Sequence, residues 1–138
     1  MTKATSISWK VDHSIGIPTF DKQHMRLNEI LDEFYKSVKS EAEYSKILSS
    51  INKLIDYTIF HFDSEEKIMK LHNFPGYELH KMQHEAFIHE ITEFEELYKN
   101  GQILLTVEIT YYIKVWLEIH IDKTDRIYSD YLLAKGVQ

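Results

Sequence analysis

Apolar residues recur at intervals of three and four along four long stretches of this chain, and little interrupts them. An α-helix brings positions i, i+3, i+4 and i+7 to one face, so this period selects helices over strands. The first stretch opens near Asp21, which reads as an N-cap, runs through Leu27, Ile30, Leu31, Phe34 and Val38, and should end near Ser40. The second, over 43–71, carries Ile47, Ile51, Leu54, Ile55, Phe62, Ile68 and Met69, and Asn73, Pro75 and Gly76 stop it. The third, over 77–99, presents Tyr77, Phe87, Ile91, Phe94 and Tyr98, with Asn100 and Gly101 as its C-terminal signal. The fourth runs from about Thr106 to about Ala134, with Ile109, Ile113, Trp116, Ile127 and Tyr131 placed inward.

Four long helices joined by short loops predict an all-α fold, an up-down-up-down antiparallel four-helix bundle. Only four glycines and two prolines are spread over 138 residues, too few for a sheet cut by many turns. Residues 1–19 read as an irregular arm, because Gly16 and Pro18 break any period there, with Trp9 and Ile15 as its anchors. The whole chain, 1–138, is expected to form one domain, with the bundle over about 20–134.

Several function classes drop out on composition. A net charge of −6 without a basic block argues against nucleic acid or an anionic membrane surface as the main partner. The opening MTKATSISWK has no apolar h-region, and no run of about 18 apolar residues could span a bilayer, so the expected location is cytoplasmic. With no cysteine, disulfides, iron–sulfur clusters and thiolate zinc sites are excluded, leaving imidazole and oxygen donors for any metal. Eight histidines are far above the roughly 2% share of ordinary composition.

Most of those histidines fall on the apolar stripes. His24 precedes Leu27 and Leu31 on the first helix. On the second, Leu54, Thr58, His61, Glu65 and Ile68 keep one phase, so an imidazole and a carboxylate point inward one turn apart. An isolated buried carboxylate costs many kcal/mol, and so must be paired, protonated or bound to a metal. The third helix aligns Tyr77, His80, His84, Phe87 and Ile91, which sets two imidazoles at i and i+4, a spacing that can chelate a metal. On the fourth, Ile113, Trp116 and His120 continue the stripe, and Asp125 lies five residues on.

Five residues advance an ideal helix about 140° beyond a full turn, so His120 and Asp125 cannot both face the core in regular α geometry. A π-type bulge between them would absorb one residue and bring Asp125, Tyr128 and Leu132 back inward. Position along the bundle points the same way. His24, His80 and His84 lie near the starts of helices one and three, and His61, Glu65, His120 and Asp125 towards the ends of two and four. In an antiparallel bundle these places share one end.

The chain resembles the hemerythrin family, and in particular its bacterial single-domain members, over nearly its whole length. The resemblance is carried by Trp9 with Ile15-Gly16-Ile17, by Asp21-Lys-Gln-His24, by His61-Phe-Asp-Ser-Glu65-Glu-Lys-Ile-Met69, by Phe74-Pro75, by His80-x-x-x-His84 and by Trp116-Leu-Glu-Ile-His120-Ile-x-x-x-Asp125. It implies reversible O2 binding at a non-haem centre of two iron ions. His80, His84 and His120 would bind one iron, His24 and His61 the other, with Glu65 and Asp125 bridging and an oxo or hydroxo group completing the bridge. Two octahedral irons need twelve donor positions, and this set supplies eleven, which leaves one open on the two-histidine iron. The resemblance places the O2 ligand there, and Trp116, one turn before His120, and Leu27, three residues after His24, are candidates for lining its pocket.

The remaining residues have plainer readings. His89 follows His84 by five and points outward, His13 sits in the arm, and His72 lies at a helix end where a cation meets the C-terminal dipole. Glu93, Glu95 and Glu96 read as a solvated face. Ferritin-like proteins use Glu-x-x-His pairs, and none lies on an inward stripe here. No further inward acid, base or cation is evident near the histidines, which favours an oxygen-binding protein over an enzyme consuming peroxide, NO or O2. A carrier, store or supplier would serve an oxygen-consuming protein partner. The alternative within the same chemistry is an oxygen or redox sensor acting on a partner in trans.

Overall fold

A computed structural model describes residues 15–136; Trp9 and His13 lie outside them. Four long helical rods pack together: α1 (Pro18–Lys39), α2 (Tyr44–Leu71), α3 (Tyr77–Lys99) and a fourth. The fourth rod is composite, an α-helix α4 (Val107–Ile119), a π-helical segment (His120–Asp125) and an α-helix α5 (Arg126–Ala134).

The helix ends follow local chemistry. α1 starts before Asp21, with Ile17 as N-cap and Pro18 in the first turn, where its missing N–H costs nothing and its fixed φ suits a helix. Residues 18 and 19 therefore belong to the bundle and not to the arm. Asp21 does not cap the helix from outside; its Oδ1 accepts the Ile15 amide at 2.8 Å, which ties the incoming chain to the first turn. After α3, Gly101 takes φ 72° and the Gln102 amide reaches back to the Leu97 carbonyl at 2.9 Å, closing the turn that a left-handed glycine permits. Thr106 caps α4 by accepting the Ile109 amide at 3.3 Å.

The apolar core is divided in two. A larger cluster holds Leu27, Leu31 and Phe34 of α1, Ile51 and Leu54 of α2, Phe87 and Ile91 of α3 and Ile113 and Leu117 of α4. A smaller one holds Ile15, Ile17 and Phe20, Met69 and Phe74, and Ile121, Tyr128 and Leu132. Each fully buried side chain of this size contributes about 1.5–3 kcal/mol. Between the clusters lies a polar layer: on α1 His24 separates Phe20 from Leu27, and on α2 Glu65 separates Phe62 from Met69.

Two expectations from periodicity are overturned. Ile127 is 64% exposed and not inward, because the π segment inserts a residue ahead of it and hands the inward position to Tyr128, which is fully buried. Glu95 is not on the solvated face; it is only 7% exposed and lies four residues beyond Ile91, on the buried stripe of α3. Its Oε2 has no hydrogen-bond partner.

Burial raises the Glu95 pKa above 4.5, with Glu96 and Asp56 adding to the shift and Lys99 opposing it. A carboxyl whose folded pKa lies above its unfolded value binds its proton more tightly when folded, so stability falls as pH rises from 4.5 through the folded pKa. Glu95→Gln should accordingly melt higher than the parent at pH 7. The difference should close as pH falls below 4.5, which thermal melts followed by circular dichroism across pH would show.

Candidate metal centre

The polar layer gathers His24 from α1, His61 and Glu65 from α2, His80 and His84 from α3, and His120 and Asp125 from the two ends of the π segment. All seven are buried, and Glu65 and Asp125 are fully so. The π segment closes the five-residue gap, since a wider turn brings His120 and Asp125 to the same side. On α2 the same task falls to an ordinary i, i+4 pair, His61 and Glu65.

Their donor atoms form two groups, each with its atoms within 4.8 Å of one another: His80, His84 and His120 with Glu65 and Asp125, and His24 and His61 with the same two carboxylates. Each carboxylate divides its oxygens between them. On the three-histidine side, Asp125 Oδ1 lies 3.0 Å from His80 Nε2 and 3.1 Å from His120 Nε2, and Glu65 Oε1 lies 3.3 Å from His84 Nε2. On the two-histidine side, Glu65 Oε2 lies 3.1 Å from His61 Nε2 and Asp125 Oδ2 lies 3.6 Å from His24 Nε2.

Ring nitrogens also confront one another, His84 Nε2 and His120 Nε2 at 3.0 Å and His24 Nε2 and His61 Nε2 at 3.1 Å. Glu65 Oε1, His80 Nε2 and both Asp125 oxygens are buried without a hydrogen-bond partner. Lone pairs that converge in the interior with no donor to satisfy them fit a cation at each group. The donors, imidazole nitrogen and carboxylate oxygen, suit a divalent first-row metal.

The charge state of the protein alone shows the same demand for positive charge. Burial disfavours the charged forms of His24 and His84. For His24, the neighbouring Asp125 and Glu65 carboxylates outweigh it, and for His84 the Glu65 carboxylate and the hydrogen bond to Glu66, so that both are raised to about 9. Burial likewise pushes the Glu65 pKa up, but the His61 charge and the close approach of His24, His61 and His84 hold it well below 4.5. Asp125 is also lowered: burial and the neighbouring Glu65 charge oppose this, and His120 and His24 prevail.

The family model for the hemerythrin HHE cation-binding domain matches residues 15–132. The chain belongs to the hemerythrin family. It is 30% identical to the bacteriohemerythrin of Stenotrophomonas maltophilia over 91% of this chain and 81% of that protein. It is 30% identical to the bacteriohemerythrin of Clostridium acetobutylicum over 88% of this chain and 98% of that one. A wild-type hemerythrin crystal structure superposes with a TM-score of 0.85 at 22% identity, covering 90% of this chain and 95% of that one, which shows the shared four-helix fold. The hemerythrin domain brings with it a non-haem di-iron centre that binds O2, and the His, Glu and Asp cluster here is suited to such a centre. Among the described residues, no helix is long and apolar enough to cross a membrane.

Four residues around the cluster make contacts that helical phase does not show, although it places Tyr128 and Phe62 inward. Gln23 Oε1 lies 2.6 Å from His61 Nδ1, and Glu66 Oε2 lies 2.7 Å from His84 Nδ1. Both sit on the flanks of their helices, one position away from a residue on the stripe. Tyr128 donates its hydroxyl to Glu65 Oε2 at 2.7 Å, and burial first, then the Glu65 and Asp125 charges, raise its pKa well above 10. An inward proton donor and an acid are thus present after all beside the histidines. Phe62 stacks on the His84 ring at 3.7 Å and 2°, a contact that its apolar character alone does not reveal.

Trp116 is half-buried, stacked on His120 at 4.7 Å and on Phe87 at 4.0 Å. Leu27 is fully buried three residues after His24. Of the histidines outside the cluster, His89 is exposed, and His72 ends α2 with its carbonyl accepting from the Tyr131 hydroxyl at 2.8 Å and Lys135 Nζ at 3.1 Å.

Proposed function

We propose that His24, His61, Glu65, His80, His84, His120 and Asp125 hold the two irons, and that the chain binds O2 reversibly for storage, transport or supply and turns over no substrate. The observation that carries this reading is the division of each carboxylate, one oxygen toward three imidazoles and the other toward two. Two side chains arranged in that way could each hold two metals at once. The two-histidine group offers one protein donor fewer, so an exogenous ligand belongs on that side.

Two ferrous ions held there would supply the two electrons needed for reversible O2 binding. The protein's part is to hold those irons and keep water away. Tyr128 keeps its proton, fixing Glu65 Oε2 by a hydrogen bond from the side of the smaller core cluster. On the opposite side Leu27 and Phe62 belong to the larger apolar cluster and Trp116 packs against it; Leu27 and Trp116 would line the O2 pocket and keep it dry. A dry wall slows the proton access that would convert bound oxygen irreversibly.

Stopped-flow mixing of the reduced, iron-loaded protein with O2 tests the proposal. A spectral change of fixed stoichiometry, reversed when oxygen is removed, is the expected result. Sustained O2 or peroxide consumption would make the protein an enzyme, and rapid irreversible oxidation would exclude a carrier. An oxygen-consuming enzyme is the partner such a supplier would serve.

A further inference from the structure

Only some of the five clustered imidazoles are held from behind. His84 Nδ1 faces the Glu66 carboxylate at 2.7 Å, and His61 Nδ1 faces the Gln23 amide oxygen at 2.6 Å. His24 Nδ1 and His120 Nδ1 are buried with no hydrogen-bond partner. The Glu66 side chain is 16% exposed and lies in the wall of a groove of about 550 Å³ between α2 and α3, beside Phe62, Lys81 and Glu85. With Phe62 stacked flat on the ring, His84 has little freedom to turn away from this acceptor.

The two acceptors differ in charge, and they serve different groups. Either one keeps the proton on Nδ1 and directs the Nε2 lone pair inward. A carboxylate does more, because a charged acceptor makes a bond roughly twice as strong and raises the basicity of the far nitrogen. Resting on the ligand reading above, we infer that Glu66 is a positioning residue that makes the three-histidine metal position tighter and, for iron, lower in reduction potential, while neutral Gln23 leaves the two-histidine position without that help. Glu66 touches neither metal nor O2; it acts through His84.

Anaerobic titration of the metal-free protein with Co(II), followed by its absorption, tests this with Glu66→Gln and Gln23→Glu. Glu66→Gln keeps an acceptor oxygen and removes only the charge, so its fold should be retained. The parent should bind two Co(II) in two steps. Glu66→Gln should weaken the tighter step by roughly 10–100-fold and spare the other, and Gln23→Glu should strengthen the weaker step. In the iron-loaded proteins the midpoint potential should rise in Glu66→Gln and fall in Gln23→Glu. A merely structural role gives no gain of affinity and no downward potential shift in Gln23→Glu.

Equal weakening of both steps by Glu66→Gln, or a Gln23→Glu titration like the parent's, would overturn the inference. If Glu66→Gln does not fold, Gln23→Glu decides alone. A parent that binds no Co(II) would remove the ligand assignment itself, whereas a parent binding two with unaltered variants would remove only the role of Glu66.

Discussion

Asp125→Ala should leave the protein unable to retain either iron, whereas His24→Ala should still retain one. The contrast follows from how the donors are shared. Asp125 and Glu65 are the two residues common to both donor groups, and each faces the three-histidine and two-histidine sides with different oxygens. Removing Asp125 takes one donor from each group at once, leaving His120 without its carboxylate neighbour and His24 and His80 with only the more distant Glu65, at 3.7 and 3.9 Å. Loss of a direct donor should exceed the roughly 10–100-fold that loss of an outer partner costs in metal affinity. His24 belongs to the two-histidine group alone, so His24→Ala removes a donor there and leaves the five donors of the other intact. Iron per chain, measured after iron-replete expression and desalting, should therefore read two for the parent, one for His24→Ala and near zero for Asp125→Ala. Equal iron contents in the two variants would show that the carboxylate is not shared.

Much of this arrangement is legible in the sequence because helical phase is a strong constraint. His24, His61, Glu65, His80, His84 and His120 lie on the apolar stripes, and a stripe that must be buried carries its polar members inward with it. The same rule requires a distortion between His120 and Asp125, and the structure has a π-helix there. Carried past the distortion, the phase turns Tyr128 and Leu132 inward, as found; it fails only where the stripe is drawn without the inserted residue. Ile127 is inward by uninterrupted α phase, but beyond the inserted residue Tyr128 takes its place. Glu95 was hidden by its neighbours: three glutamates in four positions read as solvated, although one of them continues the stripe through Ile91. Gln23 and Glu66 were out of reach for a different reason. Their partners are the rear nitrogens of imidazoles on another helix, and ring orientation is fixed by packing, such as Phe62 on His84, that no single-helix period encodes. Helix starts depend on still more local chemistry, and Pro18 outweighs Asp21 at the first of them.

Deleting Lys123 should abolish iron retention without unfolding the protein, and adding Asp125→Glu to the deletion should restore it. Lys123 is exposed within the π segment, so its removal takes away no buried contact of its own. With one residue fewer, His120 and Asp125 stand four apart, and a regular α-helix sets such a pair about 40° from alignment. Tyr128 and Leu132 keep their spacing from Asp125, so the smaller core cluster can form again. The resulting spacing is the one that His61 and Glu65 already use on α2, where the ring nitrogen and carboxylate oxygen lie 3.1 Å apart. Glutamate, however, is one methylene longer than aspartate. At an α-helical i, i+4 position Asp125 would fall short by about one carbon–carbon bond, roughly 1.5 Å, which is enough to break a metal–oxygen bond of about 2 Å. The π segment thus supplies through the backbone the reach that a shorter acid lacks. Circular dichroism should show helix content and a cooperative melt in both variants, with iron content near zero for the deletion and near two when Asp125→Glu is added. Two irons in the deletion alone would mean that the bulge does not set the reach of Asp125, and failure of the longer acid to restore them would mean that more than reach was lost.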